Sequence, residues 1–145
     1  MRLLFWAGLG GTLYMTGVVW FAQSVHYPLL DRTPPPGFPD FARAYQARTF
    51  RIVLLPMTLE GFGAVILPFL ALPEGGRGWA WAALGLAVLI WVSTAAIQIP
   101  QHRALAQGYN AGLHRRLVRA NWVRTAAWSA RSLILLWLAS RRAGG

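Results

Sequence analysis

A chain of 145 residues that is 56% hydrophobic and only 12% charged is not composed like a soluble domain, which would carry about twice that share of charge. The absence of cysteine excludes disulfides, thiolate chemistry and iron–sulfur ligation. The net charge of +10 rests on arginine alone, without lysine, and those arginines flank apolar runs. That placement points to anionic lipid headgroups rather than to nucleic acid.

Crossing about 30 Å of hydrocarbon takes roughly 20 apolar residues in a helix, and four runs qualify. The first covers about residues 3–25 and ends at the Tyr27-Pro28 step. It is too long for the apolar core of a signal peptide, so it is expected to be retained. The second, about 52–72, contains Pro56 and Pro68; the third, about 79–99, stops at Pro100; the fourth, about 121–140, closes with Arg141 and Arg142. Helix is the expected state because a lone strand in lipid leaves its backbone groups unpaired. A mean hydropathy of +0.42 and the eight Trp and four Tyr residues fit a lipid-facing surface with aromatic belts.

The links differ in character. PEGGRG, between the second and third runs, is a tight turn. The link after the first run opens with DRTPPPGFPD and continues as FARAYQARTFRI, which sets Phe41, Tyr45 and Phe50 against Arg43, Arg48 and Arg51. Such a pattern suits a helix lying in the membrane interface. After the third run, Leu105, Tyr109, Leu113 and Leu117 recur at four-residue spacing and predict a helix that can run straight into the fourth. No internal repeat is evident. The expectation is an all-α fold: one integral membrane domain over residues 1–145, an antiparallel four-helix transmembrane bundle with interfacial helices in its two long loops.

Arginine counts predict the orientation. Arg32, Arg43, Arg48, Arg51, Arg103, Arg115, Arg116 and Arg119 lie on the side of the long links, against Arg2, Arg77, Arg141 and Arg142 on the other. Eight against four favours long loops in the cytoplasm and both termini outside a cell membrane.

Charged groups within apolar spans are costly, so they face inward, pair, and mark working sites. Glu60, Arg124 and Arg131 are of this kind. Glu60 lies nine residues past Arg51, roughly 13 Å deeper at 1.5 Å per residue, a depth that matches Arg131 more closely than Arg124. Gln23 and His26 share one helical face, as do Gln98 and His102. Asn121, Arg124, Thr125, Trp128 and Arg131 form a polar stripe in steps of three and four. Four helices therefore send polar groups to one half of the membrane. One carboxylate between two guanidiniums is net positive and suits an anionic or enolate-like ligand, or an oxyanion formed during reaction.

Plainer roles exist for each feature. A Glu–Arg pair can fix helix register, an interfacial His can stay unliganded, and Gln and Asn can bond between helices. Gly8, Gly10, Gly11 and Gly17 are expected to allow close helix contact. His26 and His102 could clamp a haem iron from two helices, yet both lie near one interface rather than deep in the bundle. A metal site of His26, His102 and Glu60 has no ligand spacing to support it. No bound cofactor or metal is predicted.

The run QIPQHRAL at residues 98–105, followed by LHRRLVRANWVRTAAWSAR at 113–131, resembles the small four-helix membrane proteins related to fungal anthrone oxygenases, most of them of unknown function. That family shows Asn-x-Pro-x-Asn after its third span and Asn-x-x-Arg-Thr opening its fourth. Asn121, Arg124 and Thr125 match the second motif; Pro100 matches the first, with Gln98 and His102 standing where Asn is usual. The resemblance covers roughly the last 50 residues. It implies oxygenation of a lipophilic aromatic or quinone-type compound without a bound cofactor. His26 or His102 would be the base, Arg124 would stabilise an enolate, and Glu60 would complete the catalytic group. Gln23, Gln98, Asn121, Thr125, Trp128 and Arg131 would line the substrate site. The alternatives are a non-catalytic ligand-binding or accessory subunit, alone, as a homo-oligomer or in a larger membrane complex, and a haem-bearing electron carrier.

Overall fold

Four long helices carry the chain, and each extends well past its apolar run. The computed structural model describes residues 2–33 and 35–143; Pro34 of the proline-rich link lies outside them. Every regular element among the described residues is helical. Helix α1, Arg2–Phe21, continues through a π-helical turn at Ala22–His26, one α turn at Tyr27–Leu29 and a 3-10 turn at Leu30–Arg32. Helix α2 is Phe38–Ile66, followed by a 3-10 turn at Leu67–Phe69 that holds Pro68. Gly75, with φ of 72°, makes the reversal into α3, Gly76–Ser93. A second π turn, Thr94–Gln98, leads to α4, Ile99–Leu105, and a short loop reaches α5, Ala111–Ala143. The Asn110 side chain caps α5 by accepting from the Leu113 N–H at 2.9 Å.

Proline explains both π turns. A proline inside a helix lacks an N–H and its ring crowds the carbonyl four residues earlier. For Pro28 and Pro100 those carbonyls belong to Ser24 and Ala96, each in the middle of a π turn. Widening the ladder there, so that Tyr27 bonds to Ala22 and Ile99 to Thr94, lets both helices pass their prolines without breaking.

Two sequence expectations change. Residues 41–52 form no separate interfacial helix: they are the opening turns of α2, which runs unbroken for 29 residues. The link helix expected through Leu105, Tyr109, Leu113 and Leu117 is broken by a loop at residues 106–110, and only its second half runs straight into the fourth run, within the 33 residues of α5. Three helical stretches, Leu3–Arg32, Phe38–Phe69 and Gly76–Leu105, are long and apolar enough to cross a membrane. Helix α5 falls short of that measure because Arg115, Arg116, Arg119, Arg124 and Arg131 recur along it. At 1.5 Å per residue each stretch is about 45 Å long, roughly 15 Å more than a hydrocarbon layer.

Helix α1 packs along α2 and α5, and α3 packs along α5, whereas α2 and α3 touch only sparsely. Three apolar clusters are stacked along the molecule. One end holds Phe5, Leu9, Leu67, Leu135 and Leu138; the middle holds Met15, Val19, Ile90 and Trp128. The other end holds Tyr27, Leu30, Phe38, Leu105 and Leu117. Outward faces are also apolar, with Phe62, Val65, Phe69, Val88 and Leu133 all more than half exposed.

Glycine sets the α1–α2 distance. A Cβ on Gly63 would lie 2.9 Å from the Gly8 Cα, and one on Gly11 would lie 2.6 Å from the Pro56 carbonyl oxygen. Gly10 and Gly17 have open space around them, so of the four expected contact glycines only Gly8 and Gly11 serve that purpose. Gly11→Ala must push two backbones apart and is expected to destabilise by about 1–3 kcal/mol. Gly17→Ala is expected to be neutral or slightly stabilising, and the two are compared by equilibrium unfolding in mixed micelles.

Candidate functional site

The polar side chains fall into two adjoining layers. The deeper one surrounds Glu60, which is fully buried on α2. Its carboxylate accepts from Arg131 Nε at 3.0 Å, from Thr12 Oγ1 at 3.3 Å, and from the Trp128 indole N–H, which is 2.9 Å from each oxygen. Arg131, 1% exposed, also donates to the Ala83 carbonyl on α3 and to the Glu60 carbonyl. Nearby, the Thr16 hydroxyl pairs with Ser132 at 2.8 Å. One carboxylate thus meets donors from α1 and α5, and its cation reaches α3. A buried carboxylate with this many donors is satisfied as it stands. The pairing of Glu60 with Arg131 follows the depth argument from sequence.

The second layer surrounds Arg124, two turns nearer the arginine-rich end. Its Nε and Nη2 both donate to Asn121 Oδ1, and its Nη1 donates to Thr94 Oγ1 at 3.2 Å. Asn121 Nδ2 in turn donates to Gln23 Oε1 at 2.9 Å, which ties α5 to the π turn after α1. Thr125 is buried beside them, bonded to the Asn121 carbonyl. The Trp128 ring bridges the layers: its N–H holds Glu60, while the Arg124 guanidinium lies 5.7 Å from its centroid. Among the described residues no carboxylate lies within 4.0 Å of Arg124. Its charge is met only by neutral acceptors.

A cluster of rings covers this layer. His26 stacks on Tyr45 at 3.6 Å, with planes 7° apart, and Phe41 continues the stack. His102 Nε2 pairs with the Tyr27 hydroxyl at 3.3 Å. His114 holds the Tyr27 carbonyl at 2.9 Å and the Tyr109 hydroxyl at 3.1 Å. With Tyr45 flat against His26 and the His102 Nε2 engaged by Tyr27, this grouping does not present the open pair of imidazoles that a bis-histidine haem requires. Among the described residues no three His, Asp or Glu side chains gather as a metal cluster.

Four side chains near this layer have buried polar atoms that are unmatched among the described residues: Ser93 Oγ, both carboxamide atoms of Gln98, Gln101 Oε1 and His26 Nε2. Gln98 is 1% exposed. Burying a polar atom without a partner costs about 1–3 kcal/mol, so such a concentration is unusual outside a site. Three of the four lie on or beside the second π turn, a type of defect that recurs at functional sites. Ser93, Thr94, Gln101, Tyr27, Tyr45 and His114 belong to the assembly but were not evident from sequence. The two X-Pro steps were the only signal that helix register changes there.

The Glu60–Arg131 pair yields a direct test. Arg131→Met leaves a buried carboxylate without its cation and is expected to cost about 3–5 kcal/mol in unfolding free energy. Adding Glu60→Gln removes the stranded charge and is expected to restore much of that loss, measured as a double-mutant cycle. Comparison with protein-family models, curated proteins and solved structures finds no match to this chain.

Proposed function

We propose that this protein is a multi-pass protein of the cell membrane that binds a lipophilic aromatic ketone or hydroxyquinone at Arg124 and activates it toward dioxygen. The single observation that carries this reading is the Arg124 guanidinium, which has only neutral partners and lies among buried polar atoms that lack partners of their own. A cation so placed favours a guest that is anionic or becomes so. The unmatched carboxamide and hydroxyl groups supply donors and acceptors to orient it.

The bundle is antiparallel on this reading. Gly8 meets Gly63 while Gly11 meets Pro56, and Thr16 meets Ser132 while Gln23 meets Asn121, so partners run in opposite order along each pair of helices. All four helices cross the bilayer, α5 with Arg131 buried and Arg124 half-buried in the bundle while Arg115, Arg116 and Arg119 stay exposed nearer its start. The long links lie in the cytoplasm, where arginine is in excess. The Asn121–Arg124–Thr125 match to the anthrone-oxygenase relatives supports the same assignment, by analogy.

The chemistry follows from the groups present. His26 Nε2, buried and unpartnered, takes a proton from the acidic CH2 beside an aromatic ketone, and the resulting enolate oxygen lies against Arg124. The enolate gives one electron to dioxygen, and the radical pair joins through a C–O bond. The peroxide anion takes the proton back from His26, and the resulting hydroperoxide loses water across its C–H and O–O bonds, leaving a second carbonyl. One dioxygen is consumed and one water released, and no other oxidant is needed. His102 is held by Tyr27 rather than serving as the base.

Anthrone oxidation by the purified protein in nanodiscs tests this, followed as anthraquinone formation and oxygen uptake. Removal of one anion-stabilising donor typically costs about 100- to 1,000-fold, which is the loss expected for Arg124→Gln. Turnover unchanged in that variant would sink the oxygenase assignment. Binding of 2-hydroxy-1,4-naphthoquinone without any anthrone turnover would leave a ligand-binding module and remove the enzyme.

A further inference from the structure

We infer that the ligand held at Arg124 carries a hydrocarbon chain, and that this chain lies in an apolar groove between α2 and α3. The inference rests on the anion site proposed above and adds the other half of its ligand. The groove has a volume of about 520 Å³, within the usual range for small-molecule sites. Its lining includes Gly61, Ala64, Phe62, Ala87, Val88 and Trp91. Thr58, its polar member, is internally satisfied, since its hydroxyl donates to the Leu54 carbonyl at 2.7 Å.

The groove exists for a packing reason. Helix α2 spends its packing face on α1, and α3 spends its own on α5, so the two meet only sparsely. Small residues, Ala64 on α2 and Ala87 on α3, leave the seam unfilled beside Trp91, whose ring packs over Gly61.

What selects an amphiphile with one charged end is the line from this seam to the cation. Ala87 and Trp91 lie four apart on one face of α3, and Thr94 follows three residues later as the first residue of the π turn. Ala87 and Trp91 line the groove, and Thr94 accepts from Arg124 Nη1. A chain laid along the seam therefore runs up to the guanidinium in about one helical turn, roughly 5 Å. Polarity changes in the same direction, from an apolar trough to Arg124, Gln98 and Ser93. That order suits a ligand with an acidic ring at one end and an alkyl tail at the other. Bilayer lipid, by contrast, would coat every outward face, including Leu133 on α5, without regard to Arg124.

The test uses 2-hydroxy-1,4-naphthoquinone bearing a 3-alkyl chain that ends in a diazirine, with the wild-type protein in zwitterionic nanodiscs. Photolabelling is expected to concentrate on residues 58–65 and 84–92, and to be lost in the presence of excess chainless 2-hydroxy-1,4-naphthoquinone. It is also expected to be lost in Arg124→Gln, and in Val88→Trp, which fills the groove from a position that is 54% exposed and so has room for the ring. Leu133→Trp, on a different lipid-facing surface, is expected to leave labelling intact. Labelling spread evenly around the bundle, or unchanged by Val88→Trp, would overturn the groove while binding of the chainless compound still reports on Arg124. Displacement by phosphatidylglycerol as effective as by the chainless quinone would also overturn it, by making the occupant a bilayer lipid. Failure of the chainless compound to bind wild-type protein removes the anion site, and the groove assignment with it.

Discussion

A carboxylate within an apolar interior has to be matched, and the matching of Glu60 organises everything around it. An unpaired charge there would cost several kcal/mol. Instead it receives Thr12 from α1 and Trp128 and Arg131 from α5, while Arg131 reaches the Ala83 carbonyl on α3. Each donor has one acceptable position along its helix. Sliding any helix by a residue would strand the charge, so the pair acts as a register pin for all four. Lipid supplies little drive for helices to associate, which makes such polar matching and the glycine contacts of α1 and α2 weigh more than they would in water.

The register pin has a chemical by-product. Arg131 and Arg124 are seven residues apart, two turns on the same face of α5, so fixing one fixes the other. The carboxylate of Glu60 is fully used by Arg131, Trp128 and Thr12. What remains is a second guanidinium supported by neutral groups, Asn121, Thr94 and the Trp128 ring. A structural pair and an unbalanced cation thus come from one helix face, with Trp128 touching both. The division also explains why Glu60 is poorly suited to catalysis although its burial first draws attention to it.

Much of this was legible in the residues. Apolar run lengths marked the four helices, steps of three and four marked the polar face of α5, and simple depth counting paired Glu60 with Arg131. Other features were hidden for physical reasons. Pro28 and Pro100 read as helix stops, whereas π turns carry both helices through and shift which residues face inward, which brings Ser93 and Thr94 into the assembly. The aromatic and arginine pattern of residues 41–52 is that of an interfacial helix, but nothing in that pattern reveals that the backbone simply continues into the next apolar run. His26 seemed equivalent to His102 until Tyr45 was found stacked on one and Tyr27 bonded to the other. Glycine spacing alone could not separate Gly8 and Gly11, which abut a neighbouring backbone, from Gly10 and Gly17, which abut nothing.

The helical stretches are longer than a hydrocarbon layer is thick, and at one end Tyr27, Leu30, Phe38, Leu105 and Leu117 form a core of their own. On the proposed topology this core borders the cytoplasm, so water exclusion holds it together as in any soluble domain. On that topology the opposite end, where Gly8 meets Gly63, faces lipid and depends on close fit. One molecule is therefore stabilised by two different solvents. On the same proposal Arg124 lies at the seam between them, where the hydrocarbon tail of the proposed ligand would stay in oil while its ionising ring stayed within reach of protons from the aqueous side.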